Sequence, residues 1–173
     1  GLLSFTSSTI FVLENTNFNL NKKSANFFLK LLNNDFSKST FIIKDSNVFF
    51  QNAEEEVLFI NKILNMKYFY DPKELKNIMD SENEIFNVPY NLTSHRDKIN
   101  NKIFLKINFN FLKLQIENEF TYNDDLKEGS ANIIFDQNKS KASYELSKDS
   151  FVFNYYDKLD KSKYLYRGRI NFN

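Results

Sequence analysis

The residues that most often carry out chemistry are scarce in this chain or unsuitably spaced. Histidine occurs once, as His95, so a two-histidine metal site within the chain is excluded. His95 lies in the polar stretch of residues 94–97, and we expect it to be a solvated loop residue. Cysteine is absent, which excludes thiol nucleophiles, thiolate metal sites and disulfides. The carboxylates Glu54, Glu55 and Glu56 are consecutive, so on an extended chain they point to alternate faces and predict a solvated loop.

Motifs that bind phosphate groups or activate a serine are also missing. The three glycines, Gly1, Gly129 and Gly168, are too far apart for a G-x-G-x-x-G or a G-x-x-x-x-G-K loop, and no serine stands in a G-x-S-x-G elbow. We therefore predict a protein that is not an enzyme and that has no cofactor and no metal. The 23 basic and 22 acidic residues are interspersed, which argues against a nucleic-acid partner, because such proteins have a basic face.

The elements around these residues are mainly strands, because apolar and polar residues alternate along most of the chain. Residues 101–120 have the longest alternation, and its phase changes at Phe111 and Leu112. We expect a β-bulge or a bend within one continuous strand there. A tight hairpin is not expected, because Phe111, Leu112 and Lys113 include no Gly, Asn or Asp.

The predicted fold is mainly β, a long curved antiparallel meander sheet that resembles a groove, with two short helices. Polar turns at residues 136–139, 147–150 and 157–162 separate short strands in the second half, and such strands pair antiparallel. Residues 40–51 predict a hairpin or a kinked strand. Residues 24–33 and 71–80 predict the helices, the second from Asp71 at the N-cap, Pro72 at the first helical position and Glu74 two residues later.

The apolar side of these strands permits two interpretations. It is either an ordinary sheet core or a face left partly open for acyl chains, whose methylenes each contribute about 0.8 kcal/mol when buried. Periodicity alone does not separate the two. The alternating strands also suggest a second function, a structural or protein-interaction β-domain that binds partners through an edge strand.

Several segments resemble, in order, the β-rich periplasmic part of AsmA-like proteins, which include TamB- and YhdP-like relatives, from AT-rich α-proteobacteria. They are FVLENTNFNLNKKSANFF, IIKDSNVFFQ, EVLFINKILNMKYFYDPKELKN, NEIFNVPYNL, FLKLQIENEF and KEGSANIIF. The resemblance implies that residues 1–173 are a single β-rich segment of a larger periplasmic protein anchored in the inner membrane by a segment outside this one. It also implies a role in outer-membrane biogenesis, through lipid transport along an apolar groove with phospholipid as the partner.

Under this interpretation, the residues expected to line the groove are alternating apolar ones of the central and C-terminal strands. They are Ile103, Leu105, Ile107, Phe109, Phe111, Leu112, Leu114, Ile116, Ile133, Phe135, Phe151 and Phe153.

Overall fold

The structure is a computed structural model of the 173-residue chain, and it describes residues 9–21, 23–24, 39–97, 99–122, 126–147, 149–156 and 164–171. Within these ranges, no helix is both long and apolar enough to cross a membrane. The first predicted helix, residues 24–33, lies outside the described residues except for Ser24.

Twelve strands account for most of the described residues. They are β1 (Thr9–Glu14), β2 (Asn17–Leu20), β3 (Ser39–Gln51), β4 (Val57–Asp71), β5 (Lys76–Ile85), β6 (Val88–Asp97), β7 (Lys102–Phe109), β8 (Leu114–Tyr122), β9 (Leu126–Phe135), β10 (Asn138–Ser147), β11 (Ser150–Tyr156) and β12 (Tyr164–Asn171).

The strands pair in the order β1-β3-β4-β5-β6-β7-β8-β9-β10-β11-β12, and β2 pairs with β3. From β3 onward, each strand in this order is followed by its neighbour in sequence, which confirms the predicted mainly β meander. Parallel pairing of β1 and β2 with β3 is an addition to the prediction. Contacts divide the chain into two compact units, Gly1–Leu92 (unit 1) and Thr93–Asn173 (unit 2).

In unit 1, β3 is one kinked strand and not a hairpin. Asp45 has a φ of 46°. In the ladder with β4, Lys44 pairs with Asn65 and Ser46 pairs with Ile63. Asp45 and Leu64, which lie between these pairs, are left out of the ladder. Ser46, only 1% exposed, accepts the backbone N–H of Thr16 at 3.1 Å and donates to the carbonyl of Lys44 at 2.7 Å. The kink therefore places a hydroxyl that ties the connection between β1 and β2 to β3.

The second predicted helix, residues 71–80, is wrong. Asp71 ends β4, a tight turn follows, and β5 begins at Lys76. The Asp71 side chain does accept backbone N–H groups as an N-cap would, from Lys73 at 2.8 Å and from Glu74 at 3.3 Å. The same local hydrogen bonds suit a turn as well as a helix start. Leu75 has a φ of 53°, which ends any helical path, and pairing with β4 then keeps β5 extended.

Leu75→Gly distinguishes the turn from the predicted helix, because it raises the free energy of unfolding in one case and lowers it in the other. In the turn, glycine adopts the positive φ of position 75 without the steric cost that leucine bears, so we expect the free energy of unfolding to rise by up to about 1 kcal/mol. In a helix the same change would lower it by about 1 kcal/mol. Urea denaturation measures the difference. Lys73→Gly is the control, because its φ is not positive, and we expect it to destabilise the protein.

In unit 2, residues 101–120 form a hairpin and not the predicted continuous strand with a β-bulge or a bend. Strands β7 and β8 pair antiparallel from Lys102–Thr121 to Phe109–Leu114. Between them, Asn110–Leu112 form a single 3₁₀ turn, and Lys113 takes the left-handed conformation with a φ of 50°. The change of phase at Phe111 and Leu112 therefore marks the turn, after which β8 returns along β7.

Few of the described side chains are fully buried. Ile63 is the one buried hydrophobic residue among them, 7% exposed. The other described residues in the buried class are polar, namely Ser46, Asn61, Asn77, Ser81, Asn83 and Ser150. Apart from Ile63, the apolar side chains that the structure describes are therefore only partly buried or exposed.

Candidate functional site

The apolar face of unit 2 contains ten of the twelve residues expected to line a groove. The pairing places Ile107 beside Ile116 and Ile116 beside Ile133, and in the next row it places Phe109, Leu114 and Phe135 side by side. Paired residues on neighbouring strands lie on the same face, about 5 Å apart. The residues brought together in this way are Ile103, Leu105, Ile107, Phe109, Leu114, Ile116, Ile133, Phe135, Phe151 and Phe153.

Phe111 and Leu112 are the two exceptions. Both lie in the turn between β7 and β8, outside the paired ladder, and they are 82% and 41% exposed. The turn is held against the next hairpin, because Asp136 N–H donates to the carbonyl of Lys113 at 3.0 Å and the Lys113 ammonium lies 3.2 Å from the Asp136 carboxylate. These two residues therefore belong to an exposed end of the sheet and not to its apolar face.

The apolar face also includes residues outside the predicted lining set. Phe120 pairs with Ile103, and Tyr144 pairs with Phe153. Tyr155 and Tyr166 pair in the next two strands, with ring centroids 6.3 Å apart. Phe120 continues the alternation of residues 101–120, and the same period of two, extended to tyrosine, identifies the three tyrosines.

Two glycines make room for aromatic rings on this face. Tyr144 lies over Gly129, where a Cβ atom would be 2.5 Å from the ring, and its hydroxyl donates to Asn118 Oδ1 at 3.0 Å. Phe153 covers Gly168 in the same way, at 2.3 Å. Burial raises the pKa of Tyr144. Each glycine thus allows a ring to lie flat across the neighbouring strand, so the face is covered by aromatic surface where it lacks a side chain.

Gly129→Ala should displace the Tyr144 ring and destabilise the protein by about 1–3 kcal/mol, the usual range for overpacking. Thermal or urea unfolding measures the loss. In a Tyr144→Ala background the ring is gone, and we expect the same substitution to cost less; the remaining cost comes from the Phe120 Cβ, which lies 2.9 Å from the added Cβ. Additive effects of the two changes would contradict the proposed contact.

The apolar face of unit 1 differs, because a hydrogen-bonded polar cluster interrupts it. Tyr90 donates its hydroxyl to Asn61 Oδ1 at 2.7 Å, and the Asn61 amide donates to Asn83 Oδ1 at 3.5 Å. Ser81 donates to the same oxygen at 2.8 Å. Asn61 and Asn83 are 7% and 4% exposed, so these bonds satisfy groups that would otherwise be buried without partners. The cluster stabilises unit 1 and separates its apolar residues into two parts.

Burial raises the pKa of Tyr90 above its ordinary value of 10.0. The folded state therefore holds this proton more tightly than the unfolded state, and the associated stability is present below pH 10 and is lost as the pH rises further. We expect the stability difference between the wild type and Tyr90→Phe to shrink between about pH 8 and about pH 11. Urea denaturation across this range measures it. A constant difference would show that the hydroxyl does not titrate differently in the two states.

His95 and Glu55, which could carry chemistry, each contact another side chain. His95 lies in strand β6 and not in the predicted loop, and its ring stacks on Phe104 with centroids 4.7 Å apart. Glu55 lies in the exposed turn after β3 as predicted, where it forms an ion pair with Lys23 at 2.8 Å that lowers its pKa. Among the described residues, no group of three or more His, Asp or Glu side chains is arranged to hold a metal ion.

Unit 2 thus has two chemically different faces on one sheet. Its apolar face consists of aliphatic rows and aromatic rings, while the opposite positions carry charged and amide groups such as Lys106, Glu117 and Asn132, which pair in a row. The apolar face is the candidate functional site, because it extends across all the strands from β7 to β12, is only partly buried, and is interrupted by few polar residues, such as Asn118 and Ser140. No family model, curated protein or solved structure matches the chain.

Proposed function

We propose that this chain is a non-enzymatic segment of an AsmA-like envelope protein and that the apolar face of unit 2 binds the acyl chains of phospholipid. In this proposal the chain contributes sheet to a path along which lipid moves between the inner and outer membranes, in the periplasm. A segment outside the chain supplies the membrane anchor.

The observation that supports the proposal is the register of apolar residues across β7, β8 and β9, which is interrupted at Asn118, between Leu105 and Ala131. Strands lie about 4.8 Å apart and residues on one face repeat about every 6.7 Å along a strand, so the rows form a lattice of methyl and methylene groups. Among the described paired positions of this face from β7 to β12, Lys127 is the one charged residue, and it lies near the end of the face, paired with Tyr122. An acyl chain lying across the rows would therefore desolvate few polar groups.

The energetics favour such a ligand over one that needs specific polar contacts. Each methylene removed from water contributes about 0.8 kcal/mol, so a few contacts per strand suffice to hold a chain. The aliphatic residues of this face are only partly buried, which leaves apolar surface for the ligand to cover. The same surface would bind acyl chains of different lengths, because rows of isoleucine and phenylalanine impose no fixed end point.

Ile133→Thr tests the proposal against a closely matched control, Ile134→Thr. The two isoleucines are neighbours in β9, both partly buried, but Ile133 pairs with Ile116 on the apolar face while Ile134 pairs with Gln115 on the opposite face. Threonine keeps the β-branched shape and removes about two methylene equivalents of apolar surface. We expect Ile133→Thr to weaken phospholipid binding about tenfold and Ile134→Thr to leave it unchanged.

The measurements are native mass spectrometry of co-purified lipid and transfer of a fluorescent phosphatidylethanolamine between vesicles of phosphatidylethanolamine and phosphatidylglycerol. A wild-type protein that is lipid-free and transfers nothing would contradict the proposal. If both variants lost lipid binding and transfer equally, the cause would be reduced stability of the protein and not a change in the apolar face.

A second candidate function, binding of a protein partner through an edge strand, is favoured by β1. All six residues of β1 are exposed, and Ile10, Phe11, Val12 and Leu13 are 61%, 47%, 51% and 42% exposed. β1 is the first strand in the pairing order, so one of its edges has no partner strand among the described residues. An apolar edge strand of this kind is a template for another strand. Partner capture that survives Ile133→Thr would favour this function.

A further inference from the structure

The polar face of unit 2 has a shallow pocket of about 390 Å³, formed by β6, β7, β8 and β9. This volume is within the range of roughly 300–1,000 Å³ that is usual for small-molecule sites. Two adjacent cross-strand rows form it: Phe104, Glu119 and Ser130 in one, and Lys106, Glu117 and Asn132 in the other. We propose that this pocket binds an uncharged carbohydrate.

The shape of the pocket suits a flat ligand with groups on its rim. Ser130 and Asn132 have short side chains and form a low floor, while Phe104, stacked on His95 at 4.7 Å, forms a wall. Equivalent positions in the two rows are about 7 Å apart along a strand, and neighbouring strands are about 5 Å apart. A sugar ring covers an area of this size, and its C–H groups can pack against the aromatic wall while its hydroxyls reach the polar positions.

The pocket lining carries both signs of charge, the carboxylates of Glu117 and Glu119 and the ammonium of Lys106, which argues against a strongly charged ligand. The carboxylate of Glu119 forms an ion pair with Lys102, and the carboxylate of Glu117 accepts a hydrogen bond from the Gln115 amide at 2.7 Å. Lys106 lies opposite Glu117 in the ladder. A carboxylate ligand would meet the two glutamates, and an amine would meet the lysines. A neutral ligand is repelled neither by the glutamates nor by the lysines.

Hydrogen-bonding capacity is left over at the pocket. Within the described part of the chain, the side chains of Thr93, Lys106, Ser130 and Asn132 form no hydrogen bond or ion pair with another residue, although all four line the pocket. Together they offer hydroxyl, ammonium and amide groups, while the two glutamates offer acceptors. A ligand that both donates and accepts hydrogen bonds can pair with all of these donors and acceptors. Each hydroxyl of a sugar can do both.

The site is distinct from the acyl-binding face, because the side chains of its two rows alternate with the apolar ones along the same strands; the pocket lining also includes Leu105 and Asn118, whose paired positions belong to the apolar face. The test is NMR titration of the isotope-labelled full chain with maltose and with N,N′-diacetylchitobiose. We expect amide shifts confined to pocket residues of β6 to β9, with a dissociation constant on the order of 1 mM for at least one of the two sugars. Ile133→Thr should leave these shifts unchanged.

The variant Ser130→Val with Asn132→Val removes the polar floor and retains residues that favour a strand. We expect it to weaken sugar binding at least tenfold. The matched control is Ser140→Val, the same type of change on the other face, where Ser140 pairs with Ile133. The spectra themselves report whether each variant is folded.

Three results would overturn the proposal. The first is no shift with either sugar at about 50 mM, and the second is equal binding by the wild type and the double variant. The third is a perturbation of the same resonances by spermidine or glucuronate at tenfold lower concentration, since charge would then govern the site.

Discussion

Backbone pairing across short hairpins is the interaction on which the arrangement of unit 2 depends. A slip of one residue in any strand would move all of its apolar side chains to the opposite face. The turns at Asn110–Leu112 and at Asp136 hold adjacent hairpins in step through the hydrogen bond and ion pair that join Lys113 to Asp136. This register creates one apolar and one polar face from sequences that are not apolar overall.

Such a sheet is stabilised differently from a protein with a packed interior. With Ile63 the one buried hydrophobic residue described, stability comes from the ladders and from contacts between neighbouring strands, which contribute about 0.2–1 kcal/mol per pair. Tyr144 over Gly129, Phe153 over Gly168 and the amide cluster at Asn61 are contacts of this kind. Because these contacts lie within a layer, they leave the faces available for ligands, and the two binding proposals both depend on that availability.

Much of the fold follows from local pattern, and the errors have local causes. Alternation correctly placed Ile133 and Phe151 in antiparallel strands, and ten of the expected lining residues share one face. The helix at residues 71–80 was predicted from capping residues, yet Asp71 forms the same hydrogen bonds in a turn. The hairpin at residues 110–113 was missed because Lys113, an unusual residue for a left-handed position, completes it. The polar neighbours of His95 predict a loop, although a strand with a polar face has the same composition, and His95 lies in β6.

The amino-acid pattern alone is enough to establish that the chain is mainly β and which residues of a strand lie on the same face, because a period of two is a property of each strand alone. It also excluded thiol chemistry and glycine-rich phosphate loops through composition. Strand neighbours are set by tertiary pairing, which places Ile107, Ile116 and Ile133 in one row and Lys106, Glu117 and Asn132 in another. The reason is that pairing joins residues distant in sequence, and their register depends on turn geometry that no single segment specifies.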